Sequence, residues 1–307
     1  MSKQIPICSG SPLNEYKNYL QKENYSHSTI ESYINGAEKF IHWCSKNDTT
    51  PQEMDYKLAL KYVQHLQRKK TSKRTVKHQI GTLKIYFKYL LFEHYKVDNP
   101  FENINIRGVQ RIINYNILDA DELEDLYYSF DTENYQEAYH RLTAKRNKVI
   151  VGLMMYQGLN TTELKQLEIE DLQLYKGKIY IKSGIRSNSR TLELKSWQVI
   201  ELLEYIKEVR EEIKLKWHLE SERLFIPNNA RLGATIYHIL KKLKKTNHKV
   251  KNHHQIRASV ITNWLKQYNL RKVQILAGHR YISSTERYLQ DDLENLHEII
   301  NNFHPIS

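Results

Sequence analysis

Between His254 and Tyr288 the sequence reads HQIRASVITNWLKQYNLRKVQILAGHRYISSTERY, and any fold must reconcile its apolar positions with four polar ones at fixed offsets. His254 and Arg257 stand three residues apart, on one face of a helix. An amphipathic run then leads to Ala277-Gly278-His279, and Tyr288 follows nine residues after His279. Two histidines, an arginine and a tyrosine in a basic chain suggest chemistry on a phosphodiester. Arg and protonated His donate hydrogen bonds to non-bridging oxygens, and a tyrosine hydroxyl can attack phosphorus. Each residue alone carries little weight. A Gly-His pair is more often a helix-start histidine than a ligand, and this chain has 22 tyrosines to choose from.

Charge points the same way. Lys and Arg number 47 against 35 Asp and Glu, a net of +12 and a pI near 9.3, which implies a polyanionic partner. A codon bias toward Lys, Asn, Ile and Tyr would also raise the pI, so charge alone favours nucleic acid only modestly. The 307 residues suffice for two domains, each with its own core. Cys8 and Cys44 form no metal-ligand spacing, and no metal is expected. They fit a reduced, cytoplasmic setting. The N-terminus lacks the apolar run of a signal peptide, and no stretch approaches a membrane span. With ten glycines and no phosphate-loop or dinucleotide fingerprint, neither ATP nor another cofactor is implied.

The order and spacing of His254-x-x-Arg257, Leu276-Ala277-Gly278-His279 and Ser283-Ser284-Thr285-Glu286-Arg287-Tyr288 resemble the C-terminal signature of the tyrosine recombinase (phage integrase) family, HxLR…LGH…TTxxY. Four polar positions over 35 residues are far more specific than one short motif. The resemblance implies a DNA-breaking and rejoining enzyme that works through a 3′-phosphotyrosyl link. Tyr288 would be the nucleophile, Arg257 would hold the scissile phosphate, and His279 would donate to a non-bridging oxygen. His254 would accept the tyrosine's proton or orient the phosphate. The family carries a catalytic lysine on a β-hairpin, and Lys182 is the nearest match. The partner would be double-stranded DNA bearing a recombination site.

One departure stands out. Gly158-Leu159-Asn160-Thr161-Thr162-Glu163-Leu164 resembles the family's tGLRxsEl segment, with Asn160 where the first catalytic arginine is usual. A neutral amide donor is roughly half as strong as a charge-assisted one. Another cation could take its place, with Lys145, Arg146 and Arg186 as candidates. Otherwise the chain would be a slow, regulated recombinase or a catalytically impaired DNA-binding accessory protein. A monomeric type IB topoisomerase, which uses related chemistry, is a further alternative.

The fold expected is mainly α with a small β-hairpin: an N-terminal helical core-binding domain over residues 1–100, a linker over 101–116, and an α+β catalytic domain over 117–307. Helices are predicted from Leu13 onward, after a cap at Ser26 to Ser28 paired with Glu31, over Leu58–Leu66 and over Thr75–Tyr95, with Asn99-Pro100 as the stop. Residues 1–112 hold eighteen Lys and Arg against ten Asp and Glu. Lys69, Lys70, Lys73, Arg74 and Lys77, beside Thr71 and Ser72 at a helix start, are predicted to meet DNA phosphates. Arg107 and Arg111 in the linker, Arg186, and Lys244 and Lys245 are further DNA-contact candidates.

In the second half, Asp119 is predicted to cap a helix over Glu122–Phe130, followed by one over Tyr139–Gln157. Lys178–Lys182 and Arg190–Leu194 alternate in and out like two strands, with 183–189 as their turn. Helices are predicted over Ser196–Lys214 and Ala234–Lys245, with a strand-like Arg223–Pro227 between them. Leu289, Leu293, Leu296, Ile300 and Phe303 form a terminal apolar stripe. The family resemblance implies that this last helix links protomers into a tetramer on DNA.

Overall fold

A computed structural model describes residues 11–69, 71–109, 116–133, 135–185, 187–226 and 232–289. The chain divides into two compact units, residues 1–111 and 112–307.

The first unit is a four-helix assembly: α1 (Ser11–Lys22), α2 (His27–Ser45), α3 (Tyr56–Arg68) and α4 (Lys73–Phe92). Each of the last three begins on a side-chain cap. Ser26, Asp55 and Ser72 accept from the backbone N–H three residues on, satisfying a donor that helix geometry leaves unpaired. At α2 the cap is therefore Ser26, not the Ser28–Glu31 pair the sequence also offered. The core is unusually aromatic. Phe40 is fully buried and meets Tyr62, Phe87 and Phe101 edge-on at ring separations of 5.1, 5.8 and 5.7 Å. Gly36 on α2 lets α4 approach so closely that an added Cβ would lie 2.5 Å from Thr82 Cγ2. Phe101 and Ile104, just past Asn99-Pro100, are buried in this same core.

The second unit is built around α6 (Ala138–Tyr156), whose run from Val149 to Met155 is buried on all sides. Such a helix can only be central. Around it stand α5 (Ala120–Tyr128), capped by Asp119 and Glu122 acting reciprocally, α8 (Ser196–Glu204) and α9 (Arg210–Trp217), which are joined by a π-turn, and α10 (Leu232–Thr246). A second buried helix, α11 (His253–Gln267), packs on α6 and α5. Its polar residues tie down the segment entering the unit. Ser259 Oγ accepts from Leu118 N at 2.9 Å, Asn263 Nδ2 donates to Leu118 O at 3.1 Å, and Gln255 Nε2 donates to Asn116 O at 2.6 Å.

A three-stranded antiparallel sheet completes the unit: β1 (Leu172–Gln173), β2 (Lys178–Ile181) and β3 (Arg190–Glu193), in that order. Ile179 faces Leu192 and Ile181 faces Arg190 across the β2–β3 ladder. The expected hairpin is present, one residue shorter at each strand's end, and β1 is an addition. The stretch Arg223–Ile226 forms only an isolated bridge, Glu168 to Arg223, in place of a strand. Among the described residues no helix is long and apolar enough to cross a membrane.

Because Phe40 sits where five ring contacts converge, Phe40→Ala is expected to cost the first unit about 3–5 kcal/mol. Urea denaturation followed by tyrosine and tryptophan fluorescence measures it; a loss under about 1 kcal/mol would contradict this packing.

Candidate active site

The turn from α6 into α7 (Thr161–Gln166) is shaped by two residues. Gly158 adopts a left-handed φ of +59°, where a side chain would strain the backbone. Asn160 then caps α7: its Oδ1 accepts from Thr162 N and Glu163 N, both at 2.9 Å, while Asn160 N donates to Glu163 Oε2 at 3.0 Å. The Asn160 side chain thus serves its own helix's backbone, and its partner in the capping box is Glu163.

Glu163 is 5% exposed, and a buried carboxylate needs a cation. It has two. Arg190 Nη1 donates to Oε1 at 2.8 Å and Arg257 Nη1 to Oε2 at 3.1 Å. Burial alone would raise the Glu163 carboxyl, but the Arg190 hydrogen bond and the charges of Arg257 and Arg190 outweigh it and hold the group below the usual carboxylate range. Arg257 is further fixed by two backbone carbonyls, Gly158 O and Ala277 O, each at 2.6 Å. These bonds join α11, the α6–α7 turn and the end of α12 (Leu270–Ala277).

Gly278 closes α12 in a left-handed conformation, φ +68°. A Cβ there would lie 2.5 Å from Arg190 Nη1, so the glycine is also the seat of the Arg190 guanidinium. Next, His279 N donates to Gln274 O at 2.9 Å, and the ring Nδ1 shares a 2.9 Å hydrogen bond with the buried hydroxyl of Thr285. Ser187, from the β2–β3 turn, forms an isolated bridge with His279, and Asn188 N donates to Gly278 O at 2.9 Å. Tyr288 lies on a short helix, 283–289, half-buried beside Ile261, Val273 and Ala277. Its ring stacks on that of His279 with centroids 5.9 Å apart and planes inclined by 12°. Arg257, His279 and Tyr288, up to 31 positions apart in sequence, are therefore brought close together, with Glu163 paired to Arg257.

Among the other candidates, His254 stands exposed at the start of α11, its ring 4.0 Å from that of His253; no described contact joins it to Arg257, His279 or Tyr288. Lys182 is 46% exposed and bound to Glu168, with Asp171 Oδ1 at 3.5 Å. The Glu168 hydrogen bond, opposed by burial and helped by Asp171, raises its ammonium. Lys145 is engaged by Glu204 at 2.6 Å, and Arg146 is buried with Nη1 on Ile226 O at 3.0 Å, so both side chains have partners elsewhere. Lys69, Lys73, Arg74, Lys77, Arg107, Lys244 and Lys245 are exposed, whereas Lys70, Arg111 and Arg186 lie outside the described residues. The stripe beyond Leu289 does too. Among the described residues no three His, Cys, Asp or Glu side chains gather as a metal site would require.

Two members of this cluster, Glu163 and Arg190, escaped the sequence reading. The signal was there for Arg190. It occupies the inward phase of β3 with Leu192, and a charged residue at a core-facing strand position calls for a reason.

With this geometry in view, residues 116–295 match the model of the phage integrase family, and residues 13–96 match that of the phage integrase N-terminal SAM-like domain. The chain belongs to the phage integrase family. Curated relatives include tyrosine recombinase XerC of Anoxybacillus flavithermus, 26% identical over 95% of this chain and 97% of its own length. Another is tyrosine recombinase XerA of Pyrococcus furiosus, 27% identical over 94% of this chain and 92% of its own. The integrase fold is also that of the crystal structure of XerH site-specific recombinase bound to palindromic difH substrate, a post-cleavage complex. Its TM-score is 0.72 at 22% identity, over 95% of this chain and 84% of that one.

In this integrase, burial and then the charges of Arg257 and Arg190 push the His279 imidazole down to about 4. A free histidine titrates near 6.5. His279 should therefore stay neutral at pH 6 in the DNA-free protein, with a midpoint about two units below that of a free histidine. The sign for stability follows. The unfolded chain takes up this proton near 6.5 and the folded one does not, so the contribution is whole above 6.5 and is lost as pH falls toward 4. Nitrogen-15 NMR of the imidazole measures the midpoint; a value near 6.5 would mean that the ring is not enclosed by this cluster.

Proposed function

We propose that this integrase is a site-specific DNA recombinase that cuts and rejoins duplex DNA through a 3′-phosphotyrosyl intermediate. The observation that carries the reading is the stacking of Tyr288 on His279 beside the Arg257 guanidinium. A nucleophile, a neutral donor and a cation, the set that phosphodiester cleavage calls for, are then neighbours.

In the forward step the Tyr288 oxygen forms a bond to the scissile phosphorus, and the bond from phosphorus to the 5′ oxygen breaks. The phenol, whose ordinary pKa is near 10, must give up its proton, and the leaving 5′ oxygen must gain one. His254, exposed three residues before Arg257, is the proton acceptor in this reading. Lys182, released from Glu168 as DNA binds, is the proton donor to the leaving oxygen. Arg257 holds the phosphate and stabilises charge as it develops. His279 donates a neutral hydrogen bond from Nε2 when the Thr285 hydroxyl donates to Nδ1. Attack by a 5′ hydroxyl from the partner strand reverses the step. The energy of the phosphodiester is kept in the tyrosyl ester, so ligation proceeds without an added energy source.

The first unit grips the flanking duplex in this reading. Lys73 and Arg74 project from the first turn of α4, where unpaired backbone N–H groups add to the attraction for phosphate, and Lys77 from the second. Lys69 and Arg107 extend that surface, and Lys244 and Lys245 do the same on the second unit. Four protomers joined through their terminal segments complete the synapse.

Incubation with a nicked duplex carrying the recognised site is expected to trap a covalent protein–DNA adduct, seen in a denaturing gel and abolished by Tyr288→Phe. No adduct with the wild-type chain, despite site-specific binding, would favour a non-catalytic accessory protein instead. Replacing Lys73, Arg74 and Lys77 by alanine should weaken binding uniformly across sequences. It should also flatten the plot of log affinity against log salt by roughly 0.9 per lost phosphate contact. Filter binding at graded salt reads this, and an unchanged slope would remove these residues from the interface.

A further inference from the structure

We propose that Arg190 supplies the phosphate-binding cation of this site, taking the place that Asn160 leaves uncharged. The inference rests on the phosphotransfer reading above and adds a catalytic residue to it.

Among the described residues three arginines are buried in the second unit, and in two of them every guanidinium nitrogen has a partner. Arg210 donates from Nε and Nη2 to Arg223 O at 3.2 and 2.9 Å and from Nη1 to Glu211 at 3.1 Å. Arg146 donates to Ile226 O and, from Nε and Nη2, to Asn147 Oδ1 at 3.2 and 3.1 Å. Arg190 differs. Its side chain is 1% exposed, Nη1 is paired with Glu163, and Nε and Nη2 have no hydrogen-bond partner among the described residues. Unpaired buried donors on a full charge are costly, and a fold keeps them where something else completes them.

The surroundings say what that is. Arg257 and Arg190 carry two positive charges against the single negative charge of Glu163, while His279 is neutral. Those four groups therefore bear one uncompensated positive charge, to which Arg287 near His279 adds, and an anionic phosphodiester meets it. Nε and Nη2 lie on one edge of the guanidinium, the fork that meets two phosphate oxygens at once. The position fits as well. Glu163 Oε1 holds Arg190 and Oε2 accepts from Asn160 N at 3.0 Å, so one carboxylate separates the guanidinium from residue 160. The charge comes from β3, across the turn that docks on Gly278 and His279, rather than from the α6–α7 turn. The Gly278 backbone lies beside the guanidinium, and in this proposal a local shift there opens Nε and Nη2 to the phosphate.

The test uses the full chain and nicked duplexes of the sequence it selects from a random pool, with either a phosphodiester or an uncharged methylphosphonate at the scissile position. Arg190→Gln is expected to lower Tyr288-dependent adduct formation on the phosphodiester by roughly 10²–10³-fold. On the methylphosphonate, which has no charge to neutralise, it should fall within a few-fold of wild type. Thermal melting and site binding by gel shift check folding. Should the glutamine variant not fold, Arg190→Lys carries the same comparison, with a smaller loss on the phosphodiester and none on the methylphosphonate. Wild-type cleavage by the variant, or an equal loss on both substrates, would overturn the role of Arg190. Absence of any Tyr288-dependent adduct with the wild-type chain would instead overturn the phosphotransfer reading itself.

Discussion

A single carboxylate organises the second unit's polar interior. Glu163 is buried, carries one negative charge, and lies between two guanidiniums that would otherwise repel each other in a medium of low polarity. A buried ion pair rarely adds much net stability, because desolvating the ions costs about as much as their attraction returns. Its value lies in position. Removing the carboxylate would leave two desolvated cations without a partner, so the arrangement holds only as a set. Each oxygen takes one arginine, and the second oxygen also takes the Asn160 amide, which leaves the carboxylate little freedom to rotate.

Around that centre, secondary structure supplies rigidity. Arg257 projects from a helix buried along most of its length, and Arg190 from an inward position of a paired strand. Gly158 O and Ala277 O fix the Arg257 fork from two further directions. Gly278 reverses the chain after α12 and leaves room for Arg190, so one glycine meets two demands, a left-handed φ and a missing side chain. Groups held in this way lose little entropy on meeting a ligand, which is how a site becomes preorganised. Lys182, paired with Glu168, and His254 are more exposed, and it is to these two that the proposed reaction gives its proton transfers.

The first unit follows a different economy of residues. Its interior is filled by stacked and edge-on aromatic rings rather than by ion pairs, and its charge lies on the outside. Seen this way, the many tyrosines are partly accounted for: Tyr16, Tyr62, Tyr86 and Tyr89 are all core residues there. Burial raises the hydroxyl pKa of each of the four, which keeps these phenols neutral and unreactive.

The sequence by itself determined most of the helices, their caps at Ser26 and Asp119, the β2–β3 hairpin and the family, because these depend on local periodicity, local hydrogen bonds and motif spacing. It also singled out Arg257, His279 and Tyr288, whose spacing is a property of the chain. The tertiary structure alone decided which charges meet. Arg190 lies 27 positions from Glu163 and 67 from Arg257, and no periodicity links them. It decided too that Asn160 caps a helix and that Lys145 and Arg146 have other partners. Ion pairing depends on distance in space, and a sequence records only distance along the chain.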